Sequence, residues 1–267
     1  MSEEQSKTKN CKSYSFIKMS GAGNDFAIFD ARNTEINLSS EQIIKISDRK
    51  NIGCDQLIII KKDLDADCLM EIYNPDGSIS GACGNATRCV ASLFEKDEIK
   101  IKTAAGILNC KRSSNLISVN MGKPKLAGEV SLYGFSFAYI DVGNPHAVTF
   151  IKDKISDKEF FDIGPKVESN EHFPNKTNVE FARILSNDLI EVRVFERGAG
   201  ETLACGSGAC AVAVAAIEKN LIKNNKVTIR FKGGDLLIEW SGKETSVIMT
   251  GGFTKIFDGR IDEKFFN

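Results

Sequence analysis

Apolar residues fall along this chain in two ways. Most sit in short β-branched or aromatic runs, bounded by clusters of Gly, Asn, Asp, Ser and Pro, which read as strands and turns. Strands are predicted at residues 14–19 and 26–29, around the turn Ser20-Gly21-Ala22-Gly23-Asn24, and at 56–60, 68–73, 99–103, 107–110 and 116–120. A second series covers 135–142, 147–151, 178–185, 189–195, 227–231, 236–240, 247–250 and 254–257. A short helix is expected over 39–49 with Ile43, Ile44 and Ile46 as its apolar face, while 152–170 reads as irregular, partly helical surface. Two segments are apolar on nearly every side, one from Cys83 to about 95 and one from Cys205 to about 220. A helix of that kind must be buried.

The two helical segments are copies. Ala204-Cys205-Gly206-Ser207-Gly208-Ala209-Cys210-Ala211-Val212-Ala213, moved back by 122 residues, falls on Ala82-Cys83-Gly84-Asn85-Ala86-Thr87-Arg88-Cys89-Val90-Ala91, and five of the ten positions are identical. Each copy follows a strand. The repeat extends further: Gln56 and Asn178 both open a strand 122 residues apart, and Gly23-Asn24 after a strand recurs as Gly143-Asn144 after a strand. With more strands than helices in each half, the economical burial for each helix is a sheet wrapped round it. The sequence therefore predicts an α+β fold of two pseudo-symmetric domains, each a curled mixed sheet around a central helix, with an active site in the cleft between them. Gly122-Lys123-Pro124 marks the boundary, giving 122–250 as the second domain and 13–121 as the first.

Composition narrows the function. The 267 residues are 42% hydrophobic and carry a net charge of −1, so no global field points to nucleic acid or an anionic membrane. No run of eighteen apolar residues and no signal-peptide core occurs, and the polar segment 1–12 reads as a frayed tail. Eight cysteines without compact spacing suit reduced thiols in a cytosol better than disulfides. Metal is disfavoured: there is no close Cys-x2–4-Cys knuckle, and only His146 and His172 could assist. Gly21-x-Gly23 lacks the third glycine and the helix of a dinucleotide site.

A cysteine at a helix start lies at the positive end of the helix dipole, which favours thiolate. Burial in the core is the commonest fate of a free cysteine and is the competing reading. The duplication tips the balance. Two helix starts, each with free N–H groups, suit a carboxylate. With Cys83 on one side and Cys205 on the other, one face of the neighbouring carbon loses a proton to a thiolate and the other gains one from a thiol, which inverts the centre.

Several motifs together carry a family resemblance that covers about residues 14 to 257. They are Gly21-x-Gly23-Asn24-Asp25-Phe26, Gly53-Cys54-Asp55-Gln56-Leu57, Asn74-Pro75-Asp76-Gly77-Ser78 with Cys83-Gly84-Asn85, Gly143-Asn144-Pro145-His146, and Glu196-Arg197-Gly198-Ala199-Gly200-Glu201-Thr202 with Ala204-Cys205-Gly206-Ser207-Gly208. In these the chain closely resembles the diaminopimelate epimerases, cofactor-independent enzymes that interconvert LL- and meso-diaminopimelate on the route to lysine and cell-wall precursors. The resemblance implies no cofactor, a small-molecule substrate, a cytoplasmic location, and a final strand, within 251–267, that returns to the first domain; a homodimer is left open. It implies that Cys83 and Cys205 are the acid–base pair and that Gly84, Asn85, Gly206 and Ser207 bind the reacting carboxylate. Asn24, Asn74, Asn144, Asn178, Glu196 and Arg197 match the family's substrate contacts, and Gln56 lines the same cleft. Arg197 suits the distal carboxylate as a buried bidentate fork. For His146 two readings stay open, a hydrogen bond near a catalytic thiol or a structural histidine beside Pro145. Cys54, Cys89 and Cys210 are expected in the core. The family's Cys-Gly-Asn-Gly ends here in Ala86, acceptable in a helix turn and strained only at positive φ.

Proline and hydroxyproline racemases and phenazine-pathway isomerases are the alternatives on the same fold, and a histidine epimerase is a more distant one. Glu196-Arg197 with both cysteines favours the epimerase of diaminopimelate. From another class, a thiol or metal-binding protein would explain the cysteines without chemistry, and stoichiometric zinc lost on alkylation would identify it.

Overall fold

The computed structural model of the chain describes residues 13–266; the segment 1–12, with Cys11, and residue 267 lie outside the described residues. The first half runs β1 (Ser13–Gly21), β2 (Asn24–Asp30), α1 (Ser40–Ser47), β3 (Gln56–Lys61), β4 (Cys68–Tyr73), β5 (Ile79–Ser80), α2 (Gly84–Ala91), β6 (Glu98–Thr103), β7 (Gly106–Ser113) and β8 (Leu116–Asn120). The second runs β9 (Lys125–Leu132), β10 (Phe135–Asp141), β11 (Pro145–Phe150), α3 (Asp157–Glu168), β12 (Asn178–Ser186), β13 (Leu189–Glu196), β14 (Gly200–Thr202), α4 (Gly206–Glu218), β15 (Lys226–Phe231), β16 (Gly234–Glu239) and β17 (Ile248–Gly252). β18 (Thr254–Asp262) and a short 3-10 turn (Glu263–Phe266) end it.

The repeat holds pair by pair. β2 runs parallel to β3 as β11 does to β12, and β4 runs parallel to β6 as β13 does to β15. The antiparallel pairs β1/β2, β3/β4, β6/β7 and β7/β8 recur as β10/β11, β12/β13, β15/β16 and β16/β17. β9 lies on β10 as β18 lies on β1, so the last strand returns to the first half. The halves are stitched where β8 meets β17, with Val119 opposite Met249 and Ser118 opposite Thr250. The Ser118 and Thr250 hydroxyls hydrogen-bond there at 2.8 Å.

Both central helices belong to one core cluster with the inner faces of the strands, while smaller clusters lie under α1 and α3. Every residue from Gly208 to Ala216 of α4 is buried. Its side chains are Ala, Val and Cys, small enough for sheet to approach from all sides. α2 is shorter than its sequence suggests, ending at Ala91 with Ser92 as its cap, and it is not apolar all round: Arg88 is 0% exposed.

Other elements also differ from expectation. β9 was not anticipated; its alternation is mostly of exposed and half-buried positions, so it lacks a strong apolar signal. The stretch 152–170 holds a twelve-residue helix, α3, which Gly164-Pro165 disguises in the sequence and which buries Phe160 and Val167. On α1 the buried face is Ile43 and Ile46, while Ile44 is 45% exposed.

Val212 lies fully buried at the centre of α4. Val212→Ala should lower unfolding free energy by roughly 2–3 kcal/mol, from lost apolar burial plus a small cavity. Denaturant melts of the two proteins check this.

Candidate active site

Cys83 is the N-cap of α2 and Cys205 the N-cap of α4, each with extended backbone. Each sulfur accepts from the third N–H of its own helix, Ala86 at 3.5 Å and Gly208 at 3.4 Å. Ala86 is an ordinary helical residue, absent from the positive-φ positions, so replacing the family glycine introduces no strain. The first two N–H groups of each helix, at Gly84 and Asn85 and at Gly206 and Ser207, have no carbonyl of their own helix to bond.

The two helix starts converge on one side chain, Met249 of β17. A Cβ on Gly84 would sit 2.7 Å from Met249 Cε, and one on Gly206 would sit 3.1 Å from Met249 Sδ and 3.6 Å from Asn85 Oδ1. A side chain at either glycine would have to displace the end of Met249. Asn85 is buried and its Oδ1 has no partner within the protein.

Cys83 is partly exposed and Cys205 buried. Burial pushes the Cys83 thiol up to about 11; the nearby Glu196 adds to this, while the N–H groups of Ala86 and Asn85 and the Arg88 guanidinium oppose it. Burial, with the charges of Glu196 and Glu180, lifts Cys205 well above the ordinary thiol range. The helix ends do favour thiolate as the sequence suggests, but desolvation outweighs them. At neutral pH the protein holds two protonated thiols. Burial also raises the Glu196 carboxyl; the Thr202 hydroxyl, which donates to it, and the nearby Cys205 thiol oppose the rise.

On the Cys83 side, Asn24 Oδ1 lies 3.8 Å from the sulfur. Asn24 donates to Asp55 at 2.9 Å, and Arg49 clamps Asp25 and Asp55 together, which fixes the tip of the β1–β2 hairpin. Gln56 Nε2 donates to Asn74 Oδ1 at 3.2 Å, leaving Gln56 Oε1 buried without a partner. Asn74 is also held by Ser78.

On the Cys205 side, Ser207 Oγ lies 3.5 Å from the sulfur. Asn178, buried, donates to Pro145 O at 2.9 Å and accepts from Arg197 N at 3.0 Å, so it ties the two loops that carry His146 and Arg197. His146 is fully buried, with Nδ1 2.6 Å from Glu180 Oε1 and Nε2 3.0 Å from Asn144 Oδ1. Both ring nitrogens are engaged by these groups rather than by a thiol, so His146 ties Asn144 to Glu180. Arg197 departs from expectation: it is exposed, and its guanidinium reaches only the Asn175 carbonyl, at 3.1 Å.

Sequence reasoning missed Glu180, Met249 and Arg88. Glu180 stands in a strand, where a lone Glu reads as solvent-facing. β12 is instead covered on both faces, by α3 and by α4. Cys54, Cys89 and Cys210 are core residues as expected. Two surface hollows of about 440 and 780 Å³ are lined by residues 31–37 with Lys61 and Lys62, and by 64–67 with flanking residues of β6 to β8. Neither touches a site residue; the site is defined by the converging helix starts.

Among the described residues no helix is long and apolar enough to cross a membrane. A family model described as diaminopimelate epimerase matches residues 16–127 and 138–256. A diaminopimelate epimerase of Pelagibacter ubique is 43% identical over 265 residues, covering 90% of this chain and 96% of its own. One of Methanococcus maripaludis is 39% identical over 276 residues, covering 92% and 99%. Among solved structures, a phenazine biosynthesis protein of the PhzF family from Enterococcus faecalis superposes with a TM-score of 0.70 at 15% identity, covering 94% of this chain and 99% of its own, which speaks for the fold alone. The motifs, the duplicated helix starts and these matches agree: the chain belongs to the diaminopimelate epimerase family.

Proposed function

We propose that this chain interconverts LL- and meso-diaminopimelate by proton transfer at one α-carbon, with Cys83 and Cys205 on opposite faces of that carbon. The observation that carries the reading is the pair of cysteine N-caps on two helix starts that meet over Met249. The division of the chain is part of the proposal: 13–121 with 251–267 forms one domain and 122–250 the other, each supplying one thiol. The enzyme is placed in the cytosol, where such thiols stay reduced.

In this reading the α-carboxylate sits on the N–H groups of Gly84, Asn85, Gly206 and Ser207. Glu196 draws the proton from Cys205, and the thiolate removes the α-hydrogen. The C–H electron pair moves into the carbon–carboxylate bond, and the extra negative charge on the carboxylate oxygens is met by the two helix ends. Cys83 then delivers its proton to the opposite face, and the reverse reaction exchanges the roles. Preorganised donors aimed at developing charge contribute most in reactions of this type, with positioned acid–base groups adding roughly 10²–10⁴-fold. Asn24, Gln56, Asn74, Asn144 and Asn178 shape the pocket around the rest of the substrate.

Cys83→Ala and Cys205→Ala should each abolish conversion of LL- to meso-diaminopimelate while leaving the circular dichroism spectrum and melting temperature near wild type. Near wild-type turnover in either variant would exclude the two-thiol reaction.

Arg197 is assigned to the distal carboxylate, which it would meet by giving up the Asn175 carbonyl. Arg197→Met should lower kcat/KM for LL-diaminopimelate by about 10²-fold or more. It should also narrow the preference for diaminopimelate over lysine. Steady-state kinetics on both substrates check this, and an unchanged ratio removes Arg197 from that role.

A further inference from the structure

Arg88 is the most unusual charge in the interior. It projects from the second turn of α2 and is 0% exposed. An arginine is almost never fully buried without a carboxylate partner. Here the guanidinium meets only neutral acceptors, at distances long for a charged donor: Nε to Gly252 O at 3.3 Å, Nη1 to Gly84 O at 3.4 Å and Nη1 to Met249 Sδ at 3.7 Å. Nη2 is buried with no partner. The fold makes room for it, since a Cβ on Gly251 would lie 2.9 Å from Nε and one on Gly21 3.3 Å from Nη2.

The titratable groups that act on Arg88 are thiols, Cys83 and Cys89 from α2 and Cys210 from α4. Burial pushes Cys89 and Cys210 up to about 12, so they stay neutral and supply no counter-charge. Arg88 and Glu196 act on Cys83 with opposite effects. The contact with Gly84 O adds a second route. Gly84 C=O and Asn85 N–H belong to one peptide unit, and a cation on the oxygen polarises the N–H that leans towards the Cys83 sulfur.

We propose that Arg88 is an electrostatic positioning residue: its unpaired guanidinium, buried behind the two helix starts, favours negative charge at Cys83 and on a carboxylate held there. This rests on the two-cysteine reading above. An unneutralised cation beneath the site answers the desolvation that opposes thiolate at Cys83. Burying it without a carboxylate weakens the fold, and its effect on the thiol is the compensation. A carboxylate partner for Arg88 would cancel the field.

The test follows the Cys83 thiol itself, through the rate of its alkylation by iodoacetamide, measured by peptide mass spectrometry at pH 8. This readout does not depend on turnover. Arg88→Gln keeps hydrogen-bond donors without the charge, Arg88→Met keeps bulk without either, and Arg88→Lys keeps the charge. Both neutral variants should alkylate roughly tenfold more slowly than wild type, because an opposing charge nearby moves a thiol by about one pH unit or more. The lysine variant should stay within about threefold. Melting temperatures of the neutral variants should equal or exceed wild type, since a buried unpaired charge is gone. Unchanged alkylation in both neutral variants overturns the proposal, as does equal slowing by lysine and glutamine. Neutral variants that fail to fold assign Arg88 to the fold instead. If Cys83→Ala keeps its activity, the two-cysteine reading fails, whatever the alkylation rates show.

Discussion

Two helices that begin at one point in the interior turn like poles of their dipoles towards each other. α2 and α4 do so over Met249, with an arginine behind them that no carboxylate answers. Between half-charges in such surroundings the repulsion is on the order of 1 kcal/mol, before the burial of Arg88 is counted. The sheet holds this arrangement in place. The β8–β17 ladder fixes Met249 opposite Val119, and the return of β18 to β1 closes the first half around α2. An anion placed between the helix starts relieves that repulsion, so the architecture makes a carboxylate the natural occupant and favours added negative charge on it.

The same burial that makes the site strong in this respect makes its thiols poor acids. Cys83 and Cys205 both rest protonated, and the charges of Glu196 and Glu180 raise Cys205 further. On the two-thiol reading the pair must not ionise together, since each turnover then takes one base and one acid. Keeping both thiols protonated until a substrate's charges arrive satisfies that need. Glu196, itself raised by burial and close enough to Cys205 for its charge to act there, is the group proposed to move a single proton. On the Cys83 side the Arg88 guanidinium opposes the rise.

Much of this was written in the sequence because duplication amplifies weak signals. One Cys-Gly helix start is ambiguous; two, spaced by 122 residues and each after a strand, are not. Most strands, their turns and both helix starts followed from runs and turns alone, while the parallel pairs did not. What stayed hidden depends on which way a side chain faces. Arg88 and Glu180 are charged residues in apolar surroundings, and only the packing of α2 against β1 and β8 and of α4 against β12 shows that they are inside. Arg197 looked like a buried fork because its role was inferred from a ligand, whereas its place just beyond the end of β13 leaves the side chain at the surface. β9 was missed because it is an outer strand with little apolar face.

The central claim is that two groups, one on each face, carry the proton. It is tested most directly by following LL-diaminopimelate in deuterium oxide during the first few per cent of conversion. The account predicts that meso product carries one deuterium at the inverted carbon while the remaining LL substrate carries almost none, because the proton taken by one thiol is not the one returned from the other. Product that keeps its original hydrogen, or deuterium appearing equally in substrate and product from the start, would mean that a single base serves both faces, and would contradict it.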